Sequence, residues 1–332
     1  MEFGPIGDAH TSAVGRKAVV TGAAGFIGSR LAARLCADGW SVVGIDAFTD
    51  SYDPAEKRAR AALLEEIPGF SLVVADVAEH PLDGALEGAD SVFHLAGRPG
   101  VRPSFDIEQR YLHDNVVATG KLLAAARAAG VRRVVYASSS SVYGNAPTPF
   151  IETAETGPIS PYGRTKLEAE LLCLEASDSA LGCTALRYFT VYGPGQRPDM
   201  GIRIFADAAL RGRPITILGD GTQVRDFTYV DDVVEATVAA ADAAVEGMAV
   251  NIGGGSTVTL NEVIEMLEDL VGHRIHAERT GFARGDVYKT EADLSRAREL
   301  LGFSSKVSFA EGLAAEVDWL RDKLVAVEGI VA

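Results

Sequence analysis

The stretch from Lys17 to Asp46 places the strictest limits on how this 332-residue chain folds. A short apolar run, Lys17–Thr21, leads into three glycines in the spacing GxxGxxG, then an amphipathic segment and a second apolar run that ends in Asp46. A tight turn from a strand into a helix favours glycine, which adopts unusual backbone angles without steric cost. The order predicts a strand, helix and strand unit within a parallel sheet.

This unit has the features of a dinucleotide-binding turn. Its residues are Gly22, Gly25, Phe26, Ile27 and Gly28. The glycines let a pyrophosphate approach the N-terminus of the next helix. A carboxylate at Asp46 can accept hydrogen bonds from both ribose hydroxyls of adenosine and repels the 2′-phosphate of NADP. The sequence therefore predicts NAD as the cofactor.

Short apolar runs alternate with amphipathic segments along the first half of the chain. This alternation predicts an α/β fold with a Rossmann-like doubly wound parallel sheet. Strands are expected near 17–21, 41–45, 70–75, 91–96, 133–138 and 183–188. Helices are expected near 26–38, 55–66, 106–130 and 161–178.

Two further strand ends carry candidate cofactor contacts, since ligands bind at the carboxyl ends of such strands. Asp76 can contact the adenine amino group, with Val77 beside it. Leu95, Ala96 and Gly97 follow the fourth strand, and their small side chains allow the cofactor to pass closely. The alternative is that Ala96 and Gly97 form a simple turn.

The pattern becomes less regular after residue 192. We predict an NAD-binding domain over 17–192 and a smaller C-terminal α/β substrate-binding lobe over 193–332, with interleaving possible and a cleft between them. Residues 1–16 are expected to form a flexible N-terminal tail.

The segment from Ser138 to Lys166 predicts an apparatus for proton transfer. Tyr162 and Lys166 lie four residues apart, so they share one face if a helix begins near Pro161. A free tyrosine has a pKa of about 10, and a nearby cation favours the phenolate and makes it usable as a base. Ser139 or a neighbouring serine could hydrogen-bond the same substrate hydroxyl. This combination suits the oxidation of an alcohol.

Composition excludes several classes of partner. The net charge of −15 leaves no basic surplus for nucleic acid or an anionic membrane. The three cysteines and six histidines have no metal-ligand spacing, so no metal site is predicted. No apolar run is long enough to span a membrane, and the thiols suit a reducing compartment. The expected location is the cytoplasm.

Six motifs together resemble the nucleotide-sugar epimerase/dehydratase branch of the extended short-chain dehydrogenase/reductases. They are TGAAGFIG (Thr21–Gly28), HLAG (His94–Gly97), SSSSVYG (Ser138–Gly144), YGRTK (Tyr162–Lys166), RYFTVYGPGQRPDM (Arg187–Met200) and GDGTQVRDFTYVDD (Gly219–Asp232). The resemblance implies bound NAD, contacted also by Tyr162 and Lys166. It implies Tyr162 as base, Lys166 as its activator and Ser139, rather than a neighbour, as hydroxyl partner.

The resemblance also implies a nucleoside diphosphate-sugar as substrate. Arg197 and Arg225 are the implied phosphate or sugar contacts, although Arg225 could instead pair with Asp226 or Asp220. Asp286 is a candidate for the nucleotide ribose. Arg102 is a further candidate for the substrate.

The reaction type follows from the residues after Ser139. Relatives that dehydrate the sugar carry an Asp-Glu pair there, and decarboxylating relatives typically carry a Glu beside the Val-Tyr-Gly. This chain has Ser140 and Ser141, which leaves no spare carboxylate for a second proton transfer. The resemblance therefore implies a 4-epimerase.

Thr190 directs the prediction to one substrate, because galactose and N-acetylhexosamine epimerases usually carry Asn there. Thr190 followed by Arg197 is similar to the UDP-glucuronate 4-epimerases. Ser139, Ser140, Ser141 and Thr190 would form a hydroxyl-lined niche for a carboxylate. Alternatives are a UDP-glucose or UDP-N-acetylglucosamine 4-epimerase and a non-catalytic NAD-binding protein. A homodimer through helices near 106–130 and 161–178 is expected by resemblance.

Overall fold

The computed structural model describes residues 15–282 and 284–328. Most of the predicted N-terminal tail, residues 1–14, therefore lies outside the described residues. Arg16, the last residue of the predicted tail, is described and forms ion pairs with Asp90 at 2.7 Å and Asp242 at 2.7 Å. These pairs join the residue before the first strand to two distant parts of the chain.

A seven-stranded parallel sheet forms the centre of the molecule. Its strands are β1 (Lys17–Thr21), β2 (Ser41–Asp46), β3 (Phe70–Val74), β4 (Ser91–His94), β5 (Arg133–Ser139), β6 (Gly182–Tyr188) and β10 (Met248–Ile252). The order across the sheet is β10-β6-β5-β4-β1-β2-β3. The predicted fold class is confirmed.

Strand β10 was not predicted, and it lies well beyond residue 192. It pairs with β6 along the register Met248 to Thr184 through Ile252 to Tyr188. The chain therefore leaves the central sheet after β6 and returns to complete its edge. This is an interleaving of the two predicted regions.

Helices cover both faces of the sheet and the C-terminal lobe. They are α1 (Phe26–Ala37), α2 (Pro54–Glu65), α3 (Asp83–Leu86), α4 (Glu108–Tyr111), α5 (Ala118–Ala128), α6 (Pro161–Glu175), α7 (Gly201–Leu210), α8 (Val230–Asp242), α9 (Leu260–Val271), α10 (Ser295–Leu301) and α11 (Phe309–Glu328). No helix within the described ranges combines the length and apolarity that crossing a bilayer demands.

The helix expected over 106–130 is interrupted. A π-helical turn, Leu112–Val117, separates α4 from α5. This turn carries Asn115, whose side chain accepts a hydrogen bond from the Arg98 backbone N–H at 2.6 Å and donates one to Thr165 at 3.0 Å. Such turns often occur at functional sites. Here the turn ties the loop after β4 to helix α6.

Two small sheets and their own apolar cluster build the C-terminal lobe. The remaining strands are β7 (Thr190–Tyr192), β8 (Ile215–Leu218), β9 (Val224–Tyr229), β11 (Thr257–Thr259) and β12 (Ala277–Thr280). Strand β9 lies between β7 and β11, and β8 pairs with β12. Buried side chains such as Phe205, Phe227 and Phe309 fill the space between these strands and helices α7, α9 and α11.

Candidate active site

Two glycines of the turn after β1, Gly22 and Gly28, are packed too tightly to carry a side chain. Gly22 has a φ of +70°, and a Cβ there would lie 2.9 Å from the backbone nitrogen of Ala96. A Cβ on Gly28 would collide with the carbonyl oxygen of Gly22. The turn thus brings the loop after β4 against the start of α1. It leaves the first N–H groups of α1 without a side-chain cap, since the cap residue is Gly25. Such a helix start suits a phosphate.

Asp46 ends β2 beside this turn, and its side chain is held by backbone groups. One carboxylate oxygen accepts from the N–H of Ala24 at 3.0 Å, and the other from that of Phe48 at 2.8 Å. Each oxygen retains a lone pair, so the carboxylate can still accept hydrogen bonds from ribose hydroxyls. The geometry therefore fits the predicted role.

One cleft gathers nearly all the predicted cofactor residues. Its lining includes Gly22, Gly25, Phe26, Ile27, Gly28, Asp46, Asp76, Val77, Leu95, Ala96 and Gly97. Asp76 also accepts from the Ala78 N–H at 2.8 Å. Tyr162 and Lys166 are not in this lining, but the Lys166 ammonium lies beside the cleft, since a Cβ on Gly97 would be 3.9 Å from it. A glycine cradle, a free helix start and a carboxylate together fit NAD.

Sequence reasoning missed several residues of this cleft. They are Thr49, Ser51, Tyr52, Lys57, Pro99 and Asp114, among others. The Lys57 ammonium donates to the carbonyl and hydroxyl oxygens of Thr49, each at 2.9 Å. These residues belong to the irregular segment after β2 and to helix positions that the hydrophobic periodicity does not single out. Asp50 through Asp53 resemble an ordinary polar loop, so no signal marked them.

Helix α6 begins where the proton-transfer hypothesis requires. Ser160 caps it by accepting from the Gly163 N–H at 3.0 Å, and Pro161 occupies its first turn. Tyr162 therefore lies in the first turn of the helix, beside the end of β5. Burial raises the pKa of Tyr162, whereas a hydrogen bond with Ser139 and the charge of Arg197 lower it.

Lys166 lies one turn further along α6 and is buried. Its ammonium donates to the carbonyl oxygen of Ala137 and lies 4.6 Å from the ring centroid of Tyr136. Burial lowers the pKa of Lys166 to about 8, and Cys173 and the charge of Glu170 act in the opposite direction. Arg197 is a cation whose charge lowers the pKa of Tyr162, and no such effect is seen from Lys166. Activation of Tyr162 by Lys166 therefore stays a prediction.

The predicted hydroxyl niche lies at the carboxyl edge of the sheet. Ser139 ends β5, and its hydroxyl oxygen accepts from the Ser141 N–H at 3.2 Å. Ser140 and Ser141 open a short 3-10 turn, and both are half-buried. Thr190 opens β7, two residues after Tyr188, which pairs with Ser139 across the sheet. The register thus brings Ser139 beside Tyr188, two residues before Thr190, and a niche of all four hydroxyls stays a prediction.

The predicted substrate arginines take up different positions. Arg225 donates to the carbonyl oxygens of Val224 at 2.9 Å and Tyr288 at 3.1 Å. Burial lowers its pKa, and the charge of Asp286 raises it. Arg102 lies 3.9 Å from Asp286. Arg102, Arg225 and Asp286 therefore meet in one electrostatic group.

The alternative partners proposed for Arg225 are engaged elsewhere. The Asp226 carboxylate accepts from the N–H groups of Gly254 and Ala292, and that of Asp220 accepts from Thr222. Arg197 lies apart from Arg225, in the lining of the cofactor cleft, where both oxygens of Asp199 accept from it at 3.0 Å. Its role as a substrate contact stays a prediction.

A family model matches residues 18–253, and it describes the NAD dependent epimerase/dehydratase family. The chain belongs to this family. The match confirms the predicted family and, because the family is NAD-dependent, the predicted cofactor.

Several members of the NAD dependent epimerase/dehydratase family are similar along almost their whole length. A UDP-glucuronate 4-epimerase of Thermodesulfobacterium geofontis is 38% identical over 94% of this chain and 98% of its own. A UDP-glucose 4-epimerase of Mycolicibacterium smegmatis is 39% identical over 92% and 99%. UDP-glucuronic acid 4-epimerase from Bacillus cereus, solved with UDP-glucuronic acid and NAD, has a TM-score of 0.89 at 39% identity, covering 92% and 99%.

In the described part of the chain, no group of three or more histidine, cysteine, aspartate or glutamate side chains could hold a metal ion. Cys173 and Cys183 are buried free thiols, and Cys36 is a half-buried one. His94 lies on β4 between Thr21 and Thr119, and burial lowers its pKa to about 3, so it is a neutral core residue.

Proposed function

We propose that the protein is a 4-epimerase that converts UDP-glucuronate and UDP-galacturonate into each other. The observation that carries the proposal is that Tyr162 interacts with Ser139 and with Arg197, which lines the dinucleotide cleft, while serines rather than carboxylates occupy 140 and 141. Epimerisation needs one proton exchanged at one hydroxyl. Dehydration needs a further acid and base.

The proposed chemistry divides the work among few groups. The glycine turn and Asp46 would hold NAD, which would supply a reversible acceptor for the hydride of the sugar. Tyr162 takes the proton of the C4 hydroxyl, and Ser139 orients that hydroxyl through its own hydrogen bond. Because burial raises the pKa of Tyr162, its phenolate needs cations nearby, and Lys166 and Arg197 are the candidates. The proton returns to the sugar by the same path after the sugar presents its other face.

The proposed substrate contacts lie in the region 193–332 and at the sheet edge. Arg225, Arg102 and Asp286 would hold the nucleotide end, and Arg197 the diphosphate or the sugar. The hydroxyl niche of Ser139, Ser140, Ser141 and Thr190 would hold the C6 carboxylate. Several hydrogen bonds to a carboxylate can keep it away from the orientation in which CO2 leaves.

Proton NMR of UDP-glucuronate incubated with the purified protein tests the substrate. We expect a new galacturonate anomeric signal with no net formation of NADH. Release of CO2 would show that Ser140 and Ser141 do not protect the carboxylate. For the niche itself, alanine variants of these serines should raise the ratio of decarboxylated to epimerised product, and an unchanged ratio would contradict its role.

Substitution Tyr162→Phe tests the proposed base. It removes one hydroxyl and keeps the ring, so NAD should remain bound while turnover falls by about 10²- to 10⁴-fold, the usual size of a general acid–base contribution. The measurement is bound NAD per chain beside the epimerisation rate. A variant that turns over normally would refute the assignment, and wild-type protein that binds NAD without turnover of any UDP-sugar would favour a non-catalytic NAD-binding protein.

A second candidate is epimerisation of UDP-glucose or UDP-N-acetylglucosamine. The Mycolicibacterium smegmatis relative is named a UDP-glucose 4-epimerase and is as similar as the glucuronate enzymes. The same serines can hydrogen-bond a neutral C6 hydroxyl. Competition between UDP-glucose and UDP-glucuronate in one reaction, compared as kcat/KM, decides between the two candidates.

We also propose that the protein acts in the cytoplasm as a homodimer. Helices α5 and α6 pack side by side with the π-helical turn. Exposed apolar side chains on this part of the molecule are Ile107, Leu112, Val117 and Leu171. Light scattering coupled to gel filtration should give twice the chain mass, and Leu171→Glu should give the single mass.

A further inference from the structure

A second buried charge lies on helix α6 one turn beyond Lys166. Glu170 is fully buried, and it shares a helix face with Lys166 because the two are four residues apart. Burying a carboxylate is costly unless it is paired and hydrogen-bonded. The partners of Glu170 therefore show what its position requires.

Two strands supply those partners. The guanidinium of Arg187 on β6 donates to both carboxylate oxygens, from Nε at 3.1 Å to each and from Nη2 at 2.5 Å. The hydroxyl of Ser138 on β5 donates to the same carboxylate at 2.5 Å. Ser138 directly precedes Ser139, whose side chain hydrogen-bonds Tyr162. Glu170 thus fixes the strand end that presents Ser139.

Lys166 has few other charges to balance its ammonium. Its direct contacts are the carbonyl oxygen of Ala137 and the face of Tyr136. Cys173 and Glu170 both act to raise the pKa of Lys166. Burial raises the pKa of the Cys173 thiol, so the negative charge near Lys166 comes from the Glu170 carboxylate, which pairs with Arg187. The titratable groups around Lys166 on α6, β5 and β4 are Tyr162, Glu170, Cys173, Tyr136 and His94. Burial raises the pKa of the tyrosines and the thiol and lowers that of His94, so these groups are neutral near pH 7.

A purely structural reading accounts poorly for this arrangement. Buried ion pairs are often replaced by apolar residues without loss of stability, since desolvation offsets their attraction. The pair of Glu170 and Arg187 is placed directly beside the two residues of the proposed proton relay, rather than elsewhere in the core. The charge of Glu170 and its hydrogen bond with Ser138 both act on that relay.

We propose that Glu170 is a positioning residue for this active site: its carboxylate keeps the Lys166 ammonium charged and holds Ser139 in register with Tyr162. The inference rests on the proposed catalytic roles of Tyr162 and Lys166. It adds a residue that touches neither substrate nor cofactor and acts through those that do.

The test compares Glu170→Gln with Glu168→Gln in the NAD-bound protein. Glu168 is exposed on the same helix, so it is a matched control for the same chemical change. Wild-type kcat should fall on the alkaline side near pH 8, where Lys166 loses its proton. In Glu170→Gln this limb should move down by about one pH unit or more, with KM little changed. In Glu168→Gln it should stay in place.

Because Glu170→Gln leaves Arg187 buried and unpaired, a double variant with Arg187→Gln removes both charges. It should regain thermal stability while its alkaline limb remains displaced, since the charge near Lys166 is still missing. Recovery of both the stability and the wild-type pH profile would show that Glu170 serves the fold alone. An unchanged profile in the single variant would equally overturn the proposal.

A substrate-free readout separates this inference from the proposed function. Spectrophotometric titration of phenolate formation, taken as the difference between protein with and without Tyr162→Phe, follows Tyr162 directly. Glu170→Gln should move that transition to higher pH, because Lys166 loses its charge earlier. This result is expected whichever UDP-sugar is the substrate, and no movement of the transition would contradict the role of Glu170.

Discussion

The cofactor cleft and the proposed substrate site of this molecule are built by different means. On the cofactor side, backbone groups fix the shape: the Gly22 turn lies against the backbone of Ala96, and Asp46 is held by two backbone N–H groups. In the proposed substrate site, long side chains fix the shape, and Arg102 is 63% exposed and lies 3.9 Å from Asp286. A backbone-built site tolerates few substitutions. A side-chain-built site can change its ligand.

This contrast would account for similar chains that are named for different UDP-sugars, such as UDP-glucuronate and UDP-glucose. Side chains such as Thr190 and Arg225 can be replaced without moving the sheet, whereas a glycine of the turn cannot. Variation among relatives should therefore concentrate on the substrate side. Three substitutions test this difference between the two sites, and Gly28→Ala has the largest expected effect.

Gly28→Ala should abolish NAD binding and destabilise the protein by about 1–3 kcal/mol or more, because the added methyl group collides with the Gly22 carbonyl. Bound NAD per chain and the thermal midpoint measure these effects. Gly120→Ala is the control: Gly120 lies in α5, with only the Leu172 side chain near its missing Cβ, at 3.9 Å. It should be stabilising by about 0.5–1 kcal/mol. Equal behaviour of the two variants would contradict a backbone-built cradle.

Arg225→Ala should raise KM for the UDP-sugar about tenfold, the loss of roughly 1.4 kcal/mol from one charge-assisted contact, and leave bound NAD unchanged. Arg102→Ala should have a smaller effect, since its guanidinium is mostly exposed. Arg127, which pairs with Asp178 away from the cleft, provides the control substitution. Loss of NAD from the Arg225 variant would mean that the two sides are not separable.

Glu316→Gln should change how the stability of the protein depends on pH, at a buried side chain that a backbone N–H group holds in place. Glu316 on α11 is fully buried and accepts from the Gly193 N–H at 2.9 Å, and burial raises its pKa to about 8. Between pH 4.5 and 8 the folded state binds more protons at this group than the unfolded state does, so stability falls as pH rises. The variant cannot ionise and keeps the acceptor. Its denaturation midpoint should therefore decline less from pH 5 to 8 than that of the wild type. Equal declines in the two proteins would contradict the raised pKa of Glu316.

The features that the sequence predicts well are those that depend on local backbone chemistry. The glycine turn, Asp46 and the start of α6 at Pro161 follow from spacing alone, because turns and helix starts demand particular residues. The hydroxyl edge at Ser139 was also predictable, since β5 is a plain apolar run that ends in serines.

The features that were missed depend on contacts between distant segments. Strand β10 has an ordinary apolar pattern, and nothing local shows that it joins β6. The π-helical turn at Leu112–Val117 has helical periodicity, and its extra residue is explained only by the contact of Asn115 with Arg98. Glu170 likewise resembles a surface residue until Arg187 is seen beside it.

The return of the chain to β10 restricts how such proteins can be recombined. A fragment that ends near residue 192 would lack Met248–Ile252, and the outer backbone groups of β6 would then be unpaired. Unpaired strand edges invite aggregation. The C-terminal region therefore cannot be exchanged between proteins as one continuous segment. A hybrid designed for a new sugar has to keep Met248–Ile252 with its original sheet while the segments on either side of it are exchanged.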